Sequence, residues 1–134
     1  MARGVLSPAT IDYNGLTVPA FTAGNADGHQ FLNANNGKLR IVHIKNTGIE
    51  TTVTFDVVNP ANLSGRYALT AADQPVVIPA TTGDVMIADF PASVYNQDGG
   101  DTVAGDPNYV HLDFSQVTGI TVTVFEVSKK EPAV

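Results

Sequence analysis

Three histidines and one acidic stretch hold most of the chemistry that this chain of 134 residues can offer. His43 and His111 sit in alternating apolar segments, and His29 sits in the turn-like NADGHQF. Two strand histidines together with Asp113 supply donor types that a transition metal accepts. Separation along the chain says nothing about separation in space, so the simpler reading is surface or interface histidines. His111 falls on the face opposite Val110 and Leu112, which directs it to solvent or to a partner. No metal and no cofactor is expected.

The acidic stretch is DFPASVYNQDGGDTVAGDPNY, residues 89–109. Calcium takes six to eight oxygens from closely spaced carboxylates and carbonyls, and Asp98, Asp101 and Asp106 are candidates. The stretch does not follow the D-x-[DN]-x-[DN]-G pattern, and no Glu closes it at the required distance. Its Asp and Asn residues are better suited to capping turns by bonding their own backbone. Long loops tend to be functional, so the expectation for 96–108 is an interaction surface. Nucleophilic catalysis needs a nucleophile beside a histidine and an orienting acid. None of Ser7, Ser64, Ser93, Ser115 and Ser128 lies in a G-x-S-x-G elbow. Thirteen acids make two-carboxylate pairs by chance. The chain is not expected to be an enzyme.

Composition narrows the classes further. Hydrophobic residues are 43% of the chain, enough for one core, while charged residues are only 15%. The surface must therefore be largely Thr, Asn, Ser, Gly and Ala, which suits a surface covered by other protein or one built on thin sandwich edges. Net charge is −6 with seven scattered basic residues. Nucleic acid and anionic membrane are thus disfavoured as partners, since both draw on clustered Lys and Arg. There is no cysteine, hence no disulfide framework and no thiolate zinc site. No apolar core of signal-peptide length opens the chain, so synthesis and folding in a cytoplasm are expected.

The elements that must position these residues are strands. TTVTFDVV places Val53, Phe55 and Val57 on one face; NYVHLDFS places Val110, Leu112 and Phe114; GITVTVFEV places Ile120, Val122 and Val124. KLRIVHIKN is another strand, with a bulge expected where its alternation slips near Arg40 to Val42. VVIPA and DVMIADF are two more, and LTVPAF, QFLN and RYALT are shorter candidates. Asn14-Gly15, Asp27-Gly28, Asn36-Gly37, Thr47-Gly48 and Asp98-Gly99 mark turns. About eight short strands at this spacing predict an all-β fold. It would be a single antiparallel β-sandwich, jelly-roll or immunoglobulin-like. The domain is expected over 24–127, an extended N-terminal arm over 1–23 and a loose tail over 128–134. Pro8, Gly15 and Pro19 oppose regular structure in the arm.

Three stretches carry a resemblance: NADGHQFLNANNGKLRIVHIKNTG, VVIPATTGDVMIADFPASVYNQDGG and VHLDFSQVTGITVTVFEV. In order they give an Asp-Gly-His turn, an apolar strand ending in Lys-Asn, a VxIPA strand, an FP-x-x-x-YN corner and a closing DFSxVTxITV pair. Over roughly 24–127 the chain resembles small β-rich virion proteins of tailed bacteriophages, similar to head decoration (cement) proteins. The resemblance implies a structural protein that binds the outer surface of a capsid, with the major capsid protein as partner and a homotrimer as its working form. It implies residence on the virion surface after synthesis in the host cytoplasm. A head–tail adaptor, a tail accessory protein and a carbohydrate-binding module are the alternatives. The expected contacts to other chains are Val5, Leu6, Ile11 and Tyr13 in the arm, and Tyr95, Asp98 and Asp101 at the long loop.

Overall fold

A computed structural model describes residues 4–11, 15, 20–33, 38–56, 73–88, 90, 95 and 108–128. Tyr13, Val57, Asp98, Asp101, Asp106 and the segment RYALT lie outside the described residues. Among those described are ten strands. They are β1 (Gly4–Leu6), β2 (Ala9–Ile11), β3 (Thr22–Ala23), β4 (His29–Leu32), β5 (Lys38–Asn46), β6 (Thr51–Asp56), β7 (Asp73–Ile78), β8 (Gly83–Ile87), β9 (Tyr109–Phe114) and β10 (Ile120–Ser128).

Two sheets pack face to face. One runs β1-β4-β9-β6-β7; the other runs β2-β10-β5-β8, with β3 also paired to β10. The antiparallel pairs nest: β3 with β10, β4 with β9, β5 with β8 and β6 with β7. Such nesting is the wrapping of a jelly roll, in which one long folded-over ribbon is rolled into two sheets. It resolves the topology in favour of the jelly roll over the immunoglobulin-like alternative.

The core is built from period-2 alternation. Phe31, Val42, Ile44, Val53, Phe55, Ile78, Val110, Leu112, Ile120, Val122 and Val124 are buried between the sheets, and Phe114 is half-buried against them. Opposite faces of the same strands carry Thr52, Thr54 and Asp113, which are only partly covered. The β-branched content of β5, β6 and β10 suits this pleated, half-buried surface.

Two expectations require correction. The first concerns the N-terminal arm, which does not stand apart from the sandwich. β1 pairs parallel with β4, and β2 pairs parallel with β10. Ser7 and Pro8 carry the chain from one sheet to the other, so residues 4–11 form a strap across the open side of the sandwich. The sheets are therefore mixed, not purely antiparallel. Leu6 lies opposite Phe31 and is a core residue, only 5% exposed, while Val5 faces outward. With three residues per strand and Pro8 between them, the alternation is too short to be read from sequence. The strap also covers the β4 edge, which would otherwise present unpaired backbone groups.

The second correction concerns β5, which has no bulge against β10. Its register is unbroken from Lys38↔Ser128 to Asn46↔Ile120. The alternation slips in sequence because Arg40, not an apolar residue, takes the inward position before Val42 and Ile44. Arg40 is buried beside Glu126, its register partner, at 3.7 Å, and Lys38 meets the same carboxylate at 3.0 Å. A buried guanidinium needs such pairing.

Candidate functional site

The histidines are not brought together. His29 points into the sandwich from β4, His111 points out of the same sheet from β9, and His43 points out of the other sheet from β5. Among the described residues no three His, Cys, Asp or Glu side chains converge. The expected face of His111 is correct but its exposure is not: the ring is 0% exposed, with the Asp56 carboxylate 3.9 Å away. Its strand neighbour Gln30 is buried as well. That part of the outer face is covered, so His111 is not offered to solvent.

His43 belongs to a row across the outer face of the second sheet. Its Nε2 hydrogen-bonds the Asp84 carboxylate, and the Phe21 ring packs edge-on to it at 5.0 Å. Lys45 caps Phe21, its Nζ 4.8 Å from the ring centroid. Thr123 faces His43 across the ladder from β10. The order Thr123, His43, Asp84 has the residue types of a nucleophilic relay. However, His43 Nδ1 is buried without a hydrogen-bond partner, and Thr123 is itself buried. The row links β10, β5 and β8 across the outer face of the sheet.

Tyr95, expected at a partner contact, is buried instead. It packs edge-on against Phe90 at 5.5 Å, and Phe90 packs on Phe31 and Phe55 at 5.4 and 5.0 Å. Asn33 donates from Nδ2 to the Phe90 carbonyl at 2.7 Å, which fixes this aromatic cluster to the end of β4. Val5 is exposed and Ile11 half-buried, so of the described arm residues Val5 is the one most available to another chain.

The constellation that stands out is at the end of the sandwich where β3, β5, β7 and β9 finish. Loops 24–28, 47–50, 79–82 and 115–119 meet there. Three of them carry or end at a Thr-Gly pair: Thr47-Gly48, Thr82-Gly83 (whose glycine opens β8) and Thr118-Gly119. The loops interlock through backbone. Thr47 N–H donates to the Gly119 carbonyl at 3.0 Å, Thr81 N–H to the Gly48 carbonyl at 2.8 Å, and Gly24 N–H to the Ile120 carbonyl at 2.9 Å. The approach is so close that a side chain cannot be admitted. A Cβ on Gly48 would stand 2.6 Å from the Thr118 carbonyl oxygen, and one on Gly119 would stand 2.6 Å from the Gly48 nitrogen.

Asn46 is the keystone of the cluster. It is buried, its Nδ2 donates to the carbonyls of Ile49 (2.6 Å) and Pro79 (3.1 Å), and its Oδ1 accepts from Gly48 N–H (2.9 Å). One side chain thereby fixes two loops. Gln116 fixes a third, accepting from Thr118 N–H at 2.7 Å and donating to the Thr118 carbonyl at 3.1 Å. At the apex, Thr81 holds φ of 67°. For a β-branched residue that region is unfavourable, and such strain persists only where surrounding bonds impose it.

The surface so produced is rigid and nearly uncharged. Thr47, Pro79, Ala80, Thr81, Thr82, Ser115 and Thr118 are exposed, Glu50 and the half-buried Asp27 are the acidic groups of these loops, and Ile49 stands 67% exposed. An exposed branched apolar side chain among neutral groups on a pre-ordered frame is what a protein–protein contact requires. Charge is depleted at interface cores, and little ordering entropy remains to be lost on binding. Of the three pairs, only Thr47-Gly48 is marked as a turn in sequence. The signal that marks the platform is the repetition of Thr-Gly at three strand junctions. Comparison of the chain with known protein families, curated proteins and solved structures finds no match.

Proposed function

We propose that this chain is a structural virion protein of the decoration (cement) type, which binds the outer surface of a phage capsid through the threonine–glycine platform and stabilises the shell. The observation that carries the reading is the platform itself: four loops locked by backbone hydrogen bonds, strained at Thr81, presenting Ile49 on a surface poor in charge. The low fraction of charged residues, 15%, and the resemblance over 24–127 support the same reading. The working form is a homotrimer and the partner is the major capsid protein. A carbohydrate-binding role is less well supported, because Tyr95 is enclosed by Phe90 and cannot stack on a sugar. Catalysis has no part in this reading.

The test is addition of the purified protein to phage capsid shells assembled without it. Co-sedimentation at a fixed copy number per shell, with a raised shell-disruption temperature, is the expected result. Absence of co-sedimentation at saturating protein, or attachment to isolated tails and not to shells, would overturn the reading.

A further inference from the structure

We propose that His29 is an acid-sensitive latch for the N-terminal strap: the neutral ring holds β1 on the β4 edge, and protonation releases it. This goes beyond the capsid reading and does not depend on it. His29 is buried, and its Nε2 accepts the backbone N–H of Asn25 at 2.9 Å. A nitrogen that accepts carries no proton, so this bond exists only with the neutral imidazole. The turn that the bond shapes is also the wall on which β1 rests. Gly28 supplies the carbonyl that accepts Gly4 N–H at 3.0 Å, and Gly28 N–H in turn donates to the Asn25 carbonyl at 2.9 Å. Gly4 lies directly on the imidazole: a Cβ there would stand 3.0 Å from Nδ1.

The described neighbours of the ring are largely apolar. Phe114 meets it edge-on at 5.9 Å, and Leu112 is its register partner on β9. β1 brings no titratable side chain. The 24–28 turn brings one, Asp27, whose backbone N–H donates to Asn25 Oδ1 at 2.8 Å. On β9, His111 and Asp113 point to the opposite face of the sheet. A proton on Nε2 removes the acceptor of Asn25 N–H and places a charge on a buried ring. The bond is present while the ring is neutral and is lost once Nε2 takes a proton. The least costly response is local. β1 is three residues long at a sheet edge, and edge elements open before the core does. Its departure uncovers the β4 edge as a template for another strand.

Hydrogen exchange at pH 7.5 and pH 4.5, corrected for intrinsic rates, tests this on the full chain. Protection of residues 4–6 should fall at least tenfold at pH 4.5, while β5 and β10 keep theirs, and His29→Gln should abolish the pH difference. Histidine ring signals followed by NMR in the wild-type chain provide a second measurement that needs no variant. The His29 titration midpoint should coincide with loss of protection in 4–6. Equal protection of 4–6 at both pH values would overturn the proposal. So would simultaneous loss across all strands, or a midpoint that follows His111 or His43 instead.

Discussion

Thr81 donates its backbone N–H to the carbonyl of Gly48 at 2.8 Å while its own φ stands at 67°. One hydrogen bond thus joins the β7–β8 loop to the β5–β6 loop and holds a β-branched residue where only glycine is at ease. The platform is an ordered surface, at a cost in backbone strain borne by the rest of the sandwich.

Thr81→Gly should therefore stabilise the fold by up to about 1 kcal/mol. Relief of the left-handed backbone is worth roughly 1–2 kcal/mol, partly offset by the greater unfolded-state entropy of glycine, about 0.5–1 kcal/mol. Thr81→Val, which keeps both branching and strain, should give no gain. Urea unfolding midpoints at constant slope compare the two. A Thr81→Gly protein less stable than wild type would show that the strain is not there.

Asn46→Ala should be among the most damaging polar substitutions, costing about 2–4 kcal/mol. It removes two donors and one acceptor and leaves the carbonyls of Ile49 and Pro79 without them. Thr47→Ala, one residue away and exposed, should cost under about 0.5 kcal/mol. Similar losses for the two would refute the keystone role.

Phe55→Ala should cost roughly 3–5 kcal/mol, since Phe55 is buried between the sheets and packs on Phe90. Phe114→Ala should cost clearly less, because Phe114 is only half-buried. Thermal or chemical unfolding in which the order is reversed would show that the inner face has been misassigned.

Chelator should leave the melting temperature unchanged. The three histidines occupy an inner face and two different outer faces, so no pair of them is placed to share an ion. A site that binds only the folded state would stabilise it by mass action. A fall of many degrees on chelation, restored by calcium, would instead assign an ion to Asp98, Asp101 and Asp106.

The sandwich was legible in sequence wherever one face was buried and the other wet, as in β6, β9 and β10, because period-2 alternation is then unambiguous. It was illegible where both faces are covered or the strand is very short. Ile41 and Val42 read as a bulge because the β5 outer face is itself partly covered, and Arg40 hid the inner face. β1 and β2 have three residues each, and their partners β4 and β10 come later in the chain, so nothing local marks them as strands. The burial of His111 and Tyr95 depends on what lies over them, which alternation does not encode. For the platform, the glycines were visible, but the convergence of three Thr-Gly pairs is a product of the jelly-roll wrapping.

Binding of Ile49→Asp to capsid shells assembled without the protein tests the central claim most directly. Ile49 is exposed, so the substitution should leave the unfolding midpoint within about 0.5 kcal/mol of wild type. Burying this side chain contributes at most about 1.5–3 kcal/mol per contact, and placing a carboxylate there adds a desolvation cost. The platform account predicts at least a hundredfold loss of shell affinity by co-sedimentation, with an unchanged fold by circular dichroism. Wild-type affinity in the folded Ile49→Asp protein would contradict it and place the contact elsewhere on the molecule.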